Sequence, residues 1–395
     1  MAAVESFDGI DMLHGNDLTS EELERFLTHV LGKNAGVSQA ITNPIFGTAS
    51  NTLPIPEQLL QEVSRDHSGI WKLADAMRES RIKSGDKWAS HTFVPSSCWA
   101  DALMTLHPLA VASFDDWSGN MIKETAILDF VGAWRLTKKV YRFEPNLLQA
   151  LMATTLSGDI PCETLKRLPE WAVYVETPDL VDEHGRSWDG FGACIAGGDD
   201  DRYWLQLEWM RREPNHTLSF QAETIPLKAG MNLESAIRET HVKSVAASGR
   251  HNWTAPALDE KGLEVHVRFV SASISMLLWL SSEEPDVAVG WNPSKPIGKR
   301  VKHGTRHFPA ESVTTWDVGV RVGAALDMAA EKTRQEDREW KGGTHARPRG
   351  HIRRAHWHTY RTGPKGGVPV VKWISPILVN LGKHQSFPVA VCPVV

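Results

Sequence analysis

The chain has 395 residues, 42 % hydrophobic and 23 % charged, which is close to the globular average and excludes wholesale disorder. The longest apolar stretch, residues 265–280, is interrupted by His266, Arg268 and serines, so no membrane span is expected. A formal charge of −5 conceals a polarity: residues 341–395 hold nine Lys and Arg and no Asp or Glu, so subtracting +9 leaves −14 on residues 1–340.

In chain order, the first signals are helical. Thr19-Ser-Glu-Glu22 has the form of a capping box, followed by Leu23, Phe26, Leu27 and Val30 at helical spacing. Residues 33–56 read as a loop. A second helix is predicted from Pro56 through Leu59, Leu60 and Val63, and a third over residues 70–82 with Ile70, Leu73, Ala74 and Met77 on one face. Residues 98–109 read as helix or turn. A long helix is predicted over 120–142, with Ile127, Phe130, Val131 and Trp134 as its buried face.

After Pro161 the period changes. Residues 171–176 are rich in strand formers and run into the turn signal Thr177-Pro-Asp. Tyr203, Leu205, Leu207 and Trp209 alternate, which predicts a strand that pairs with 218–227 across Glu213-Pro-Asn. Helix returns at 233–247, and the length of 265–280 favours a helix starting within it. Residues 285–310 are loop-like, 316–326 alternate like a strand, and 331–341 read as a solvated helix or linker. Strands are predicted at 368–374 and 377–379.

The four cysteines, Cys98, Cys162, Cys194 and Cys392, lie far apart with neither disulfide nor zinc spacing, which suits reduced thiols in a cytoplasmic protein. The acidic N-terminus lacks an apolar core, so no signal peptide is expected. Asp199-Asp200-Asp201 after two glycines reads as an exposed turn, and Ser281-Ser-Glu-Glu-Pro285 as a helix end. No Walker loop, dinucleotide-binding glycine pattern, nucleophile elbow or zinc-protease motif occurs, and neither a cofactor nor a metal is assigned.

The densest chemical signal is the tail. Cations and rings interleave in Arg353, Arg354, His356, Trp357, His358, Tyr360, Arg361, Lys365, Lys372 and Trp373, which suits single-stranded nucleic acid. The cations would neutralise phosphates, and the rings of Trp357, Tyr360 and Trp373 would stack bases. The alternative is a solvated basic face, or one docked on the acidic body. His356 and His358, two apart, would share a strand face. They are weak candidates for general acid and base in a ribonuclease, although no partner carboxylate is visible.

Four stretches together resemble one family. They are Gly132-Ala-Trp-Arg135 with Tyr141, then Leu168-Pro-Glu-Trp-Ala-Val-Tyr-Val175, then Leu277-Leu-Trp-Leu-Ser-Ser-Glu-Glu-Pro-Asp286, and the tail from Arg353 to Asn380. The family is a class of type V-A anti-CRISPR proteins of phages, plasmids and other mobile elements. The resemblance covers about residues 87–380 and carries no established catalytic residues to this chain. It implies an inhibitor, in the cytoplasm of a bacterial host, that lowers production of the type V-A effector nuclease; a binding and recruiting protein is the leading reading, and whether the message is cut by the inhibitor or by recruited host nucleases stays open. Its implied partners are the effector's nascent N-terminal peptide and the mRNA or ribosome, with loss of the message as the outcome. Trp171, Tyr174, Trp204 and Trp209 are the peptide-binding candidates. The alternatives are a His-dependent ribonuclease and a nucleic-acid-binding regulator of a phage or plasmid.

The expected fold class is α+β. A helical N-terminal extension occupies 1–86 and a helical region 87–165. A mixed α+β domain spans 166–330, and a small basic β-containing module 331–395.

Overall fold

The computed structural model describes residues 53–85, 90–106, 114–156, 159–197, 202–248, 258–302, 304–339, 351–353, 355–366, 368–379 and 391–394. The capping box at 19–22 with its helix, and the Asp199–Asp201 turn, lie outside them.

Four helices come first: α1 (Ile55–Asp66), α2 (Ile70–Ser84), α3 (Ser96–Leu106) and α4 (Phe114–Trp134). Helix α4 stops eight residues before the predicted end, and residues 139–143 are instead strand β1 (Lys139–Phe143). Lys138 takes a positive φ of 47°, which turns the chain, and the β-favouring Val140 and Tyr141 follow. The reversal is clasped by Trp134 Nε1, which donates to the Lys139 carbonyl at 2.8 Å.

Next come α5 (Pro145–Met152) and four strands, β2 (Ala172–Val181), β3 (Ser187–Gly197), β4 (Tyr203–Arg212) and β5 (Leu218–Pro226). They are followed by α6 (Leu233–Ser248), α7 (Glu260–Leu280), the short hairpin β6 (Lys299–Val301) and β7 (Gly304–Arg306), strand β8 (Thr314–Val318) and α8 (Val320–Glu339). The main sheet has six strands in the order β5-β4-β3-β2-β1-β8. Strand β1 is parallel to both β2 and β8, and the remaining pairs are antiparallel. The chain is α+β, as expected.

Helices cover both faces of this sheet, so β2 opens with a continuous buried run, Ala172 to Val175. Ala172 and Tyr174 join Leu59, Val63, Trp99, Phe130 and Trp134 of the N-terminal helices in one core. Val173 and Val175 join Leu147, Leu151, Ile237 and the α7 residues in the other. The β4 alternation holds, with Tyr203, Leu205, Leu207 and Trp209 all in the second core.

Strand β3 carries no signal of its own in the sequence, because Gly190 and Gly192 look like turn formers. They are packing residues: a Cβ on Gly192 would strike the Phe130 ring of α4, and one on Gly190 the Tyr174 hydroxyl. The predicted turn at Thr177-Pro-Asp is absorbed into β2 as an irregularity between Glu176 and Leu180.

The side chain of Asp259 caps α7, accepting from Gly262 N at 2.7 Å. By length and composition this helix could cross a bilayer, but 78 % of its most apolar window is buried inside the protein. Its serines are functional in packing; Ser273 Oγ accepts from Trp209 Nε1 at 2.9 Å. The predicted strand at 316–326 splits into the end of β8 and the start of α8, with Gly319 turning the chain at φ 79°. Asp286, in the third resemblance segment, caps α8: its Oδ2 accepts from Arg321 N at 2.8 Å and Val322 N at 3.0 Å.

The C-terminal strands are β9 (His351–Arg353), β10 (His356–Thr362), β11 (Val368–Ile374), β12 (Ile377–Val379) and β13 (Val391–Val394). Strands β10-β11-β13 form a small antiparallel sheet, and β9 pairs with β12.

Candidate functional site

Strand alternation decides what the basic tail can touch. Residues 356, 358 and 360 of β10 point one way, 357 and 359 the other. Trp357 and Trp373 face each other across β10 and β11, and both are 0 % exposed. The Trp373 ring meets Trp279 of α7 edge-on at 5.2 Å, and its Nε1 donates to Thr154 Oγ1 at 3.3 Å. Thr359 Oγ1 donates to the Asp159 carbonyl at 3.2 Å. The inner face of this sheet is therefore bolted to the body.

That burial corrects the stacking expectation: Trp357 and Trp373 are core residues and have no ring free for a base. The outer face retains the remaining candidates. His358 and Tyr360 are exposed with ring centroids 4.6 Å apart, and His356 is half-buried. Lys372, cross-strand from His358, holds its Nζ 5.5 Å from the Tyr360 ring centre, a cation–π distance. Arg361 and Lys365 are exposed at the hairpin end. Arg354 and the side chain of Arg353 lie outside the described residues. The surviving surface is a cationic strip with one exposed phenol ring and two imidazoles.

The peptide-reading candidates do not gather. Trp171 and Tyr174 are buried in the core beneath the N-terminal helices, Trp209 in the core on the α7 side. Trp171 Nε1 donates to the Ser90 carbonyl at 2.8 Å, and Trp209 packs on Phe269 at 4.6 Å. These three are withdrawn as a binding surface because their rings are sealed. Trp204 on β4 is half-buried and is the one of the four not sealed in a core.

Tyr141 and Glu170, from the first two resemblance segments, meet in a buried polar network. Glu170 is buried, with Lys139 Nζ 2.6 Å from Oε1 and the Tyr141 hydroxyl donating to Oε2 at 2.7 Å. Trp291 Nε1 donates to the Tyr141 oxygen at 3.0 Å, and Lys139 Nζ donates also to the Asn292 carbonyl at 2.6 Å. Burial pushes the Glu170 carboxyl up, opposed by the Lys139 charge and these hydrogen bonds. Every polar atom is used, so the network acts as a clasp holding the 291–295 loop to β1.

Beside it, Arg135 lies at the end of α4 and is 2 % exposed. Its Nη1 donates to the His307 carbonyl at 3.0 Å, and its guanidinium stacks 4.8 Å from the Trp71 ring centre. Asp75 accepts from His307 N at 3.1 Å and faces His307 Nδ1 at 2.9 Å. Lys139, Asp75 and His307 were not singled out in the sequence. The signal available was charge placed between large apolar residues, which marks a group that must be paired inside. Among the described residues no group of three His, Cys, Asp or Glu is placed to hold a metal ion.

A mixed six-stranded sheet covered by helices, with a basic sheet bolted to α7, is the arrangement to compare with known proteins. The family model described as the anti-CRISPR type V subtype A2 family, AcrVA2-like, matches residues 141–381, and the chain belongs to that family. Among particular proteins, FinQ of Escherichia coli is 29 % identical over 283 residues, spanning 68 % of this chain and 80 % of FinQ. The crystal structure of AcrVA2 shares the fold with a TM-score of 0.55 at 17 % identity, covering 81 % of this chain and 97 % of that one.

Proposed function

We propose that this protein inhibits type V-A CRISPR immunity by lowering production of the effector nuclease. It binds the effector's N-terminal peptide as it leaves the ribosome and causes loss of the message being translated. The observation that carries the reading is the family membership over residues 141–381, a span that includes the main sheet and most of the basic C-terminal strands. The cationic strip of His358, Tyr360, Arg361, Lys365 and Lys372 supports contact with RNA or the ribosome, each neutralised phosphate adding to the salt dependence of binding. Half-buried Trp204 is the remaining candidate to meet a peptide side chain.

The test is capture of message. The protein is purified from cells translating an effector gene, with either its native N-terminal peptide or a replaced one. The message should co-purify in the first case and be lost in the second. Equal capture in both would remove the peptide-reading step.

A further inference from the structure

Arg135 carries an unused recognition edge. Its Nε and Nη2 are both buried and have no hydrogen-bond partner, while Nη1 is satisfied by His307. Nε and Nη2 lie on the same side of the guanidinium, the edge that grips an oxyanion with two parallel bonds. Arg65 of this chain uses that same edge on Asp66, at 2.7 Å and 3.1 Å. Desolvating a guanidinium without pairing it is strongly unfavourable, so an empty fork in a core asks for an occupant.

The surroundings specify its charge. Trp71 covers one face of the guanidinium. Asp75, the nearby carboxylate, is committed to His307 through two contacts. Arg306 adds a second cation whose Nε is also buried and unpaired. Burial holds Arg135 down at about 10, and the Arg306 charge pushes the same way against the pull of Asp75. The local balance is an excess of positive charge with three unmet donors.

We infer that Arg135 and Arg306 form a binding site for a small oxyanion, a carboxylate or a phosphate group, seated on the Nε–Nη2 edge of Arg135 beside the ring of Trp71. The site is built from α2, the end of α4, the end of β7 and His307 after it. It is separate from the basic strip of β10 and β11 and does not depend on the peptide reading.

The experiment titrates the full chain with sodium phosphate or sodium acetate, against sodium chloride at matched ionic strength, and reads the melting temperature. Wild type should melt higher with at least one oxyanion, by about 1–2 °C for each tenfold rise above its Kd. Acetate alone would assign a carboxylate, phosphate alone a phosphate. Arg135→Lys keeps the charge and removes the fork, so the oxyanion-dependent rise should vanish. No rise in wild type, or an equal rise in Arg135→Lys, would overturn the site. Should the variant not fold, wild-type protein labelled with 15N-arginine gives a second reading. A slowly exchanging Nε–H resonance should move with phosphate or acetate and stay still with chloride; if none moves, the proposal fails.

Discussion

Asp129 is buried on α4, where the hydroxyl of Ser96 at the start of α3 donates to its Oδ2 at 2.7 Å. Burial pushes its carboxyl up to about 8, and the Ser96 bond opposes this only in part. Glu208 and the Cys194 thiol lie close by on the same face of the sheet and are raised for the same reason, burial first. Between about pH 4 and 8 the native state keeps a proton on Asp129 that the unfolded chain has released. Stability from this group is complete below the unfolded value near 3.9 and is lost as pH rises through 8. Asp129→Asn keeps an acceptor for Ser96 and removes the titration. Denaturant unfolding at pH 5 to 8 should show the variant gaining on wild type by up to about 1.4 kcal/mol per pH unit. Parallel pH profiles would show that Asp129 is ionised in the native state. None of this was legible in the sequence, since an Asp within a helical apolar face gives no sign of which residues will cover it.

At the level of elements, the alternation of β4 and the run of β11 were readable because their apolar spacing matched the strand period over seven residues. The β3 strand was not, because its glycines exist to admit Phe130 and Tyr174, partners visible only after folding. The tail is the instructive case. In His356-Trp-His-Thr-Tyr360 the rings and cations were read as interleaved contacts for a nucleic acid. A two-residue period sends Trp357 inward and His356 and His358 outward, so the same letters describe one amphipathic strand. Trp373→Ala should therefore lower stability by about 3–5 kcal/mol, read by denaturant unfolding. Tyr360→Ala should leave stability nearly unchanged. If Tyr360 stacks a base, the substitution should weaken binding of single-stranded RNA by about 1–3 kcal/mol, read by fluorescence anisotropy. A Trp373→Ala protein as stable as wild type would contradict the packing described.

Taken whole, the molecule joins an acidic body to a cationic tail through an apolar seam. Trp279 of α7, Trp357 and Trp373 form part of one core with the main sheet, so the C-terminal strands are held by the body. Their outer face is thereby held at a fixed place on the surface, as the proposed contact with RNA or the ribosome requires. The fold class and the family were both legible from the residues. The placement of the site was only half legible, because spacing reveals which side chains share a strand face but not which face is covered. The most direct measurement is the level of effector message in cells carrying this protein. Two effector genes are compared, one with its native N-terminal peptide and one with those codons frame-shifted and then restored. The account predicts that the message falls in the first and holds steady in the second; an equal fall in both, or no fall in either, would contradict it.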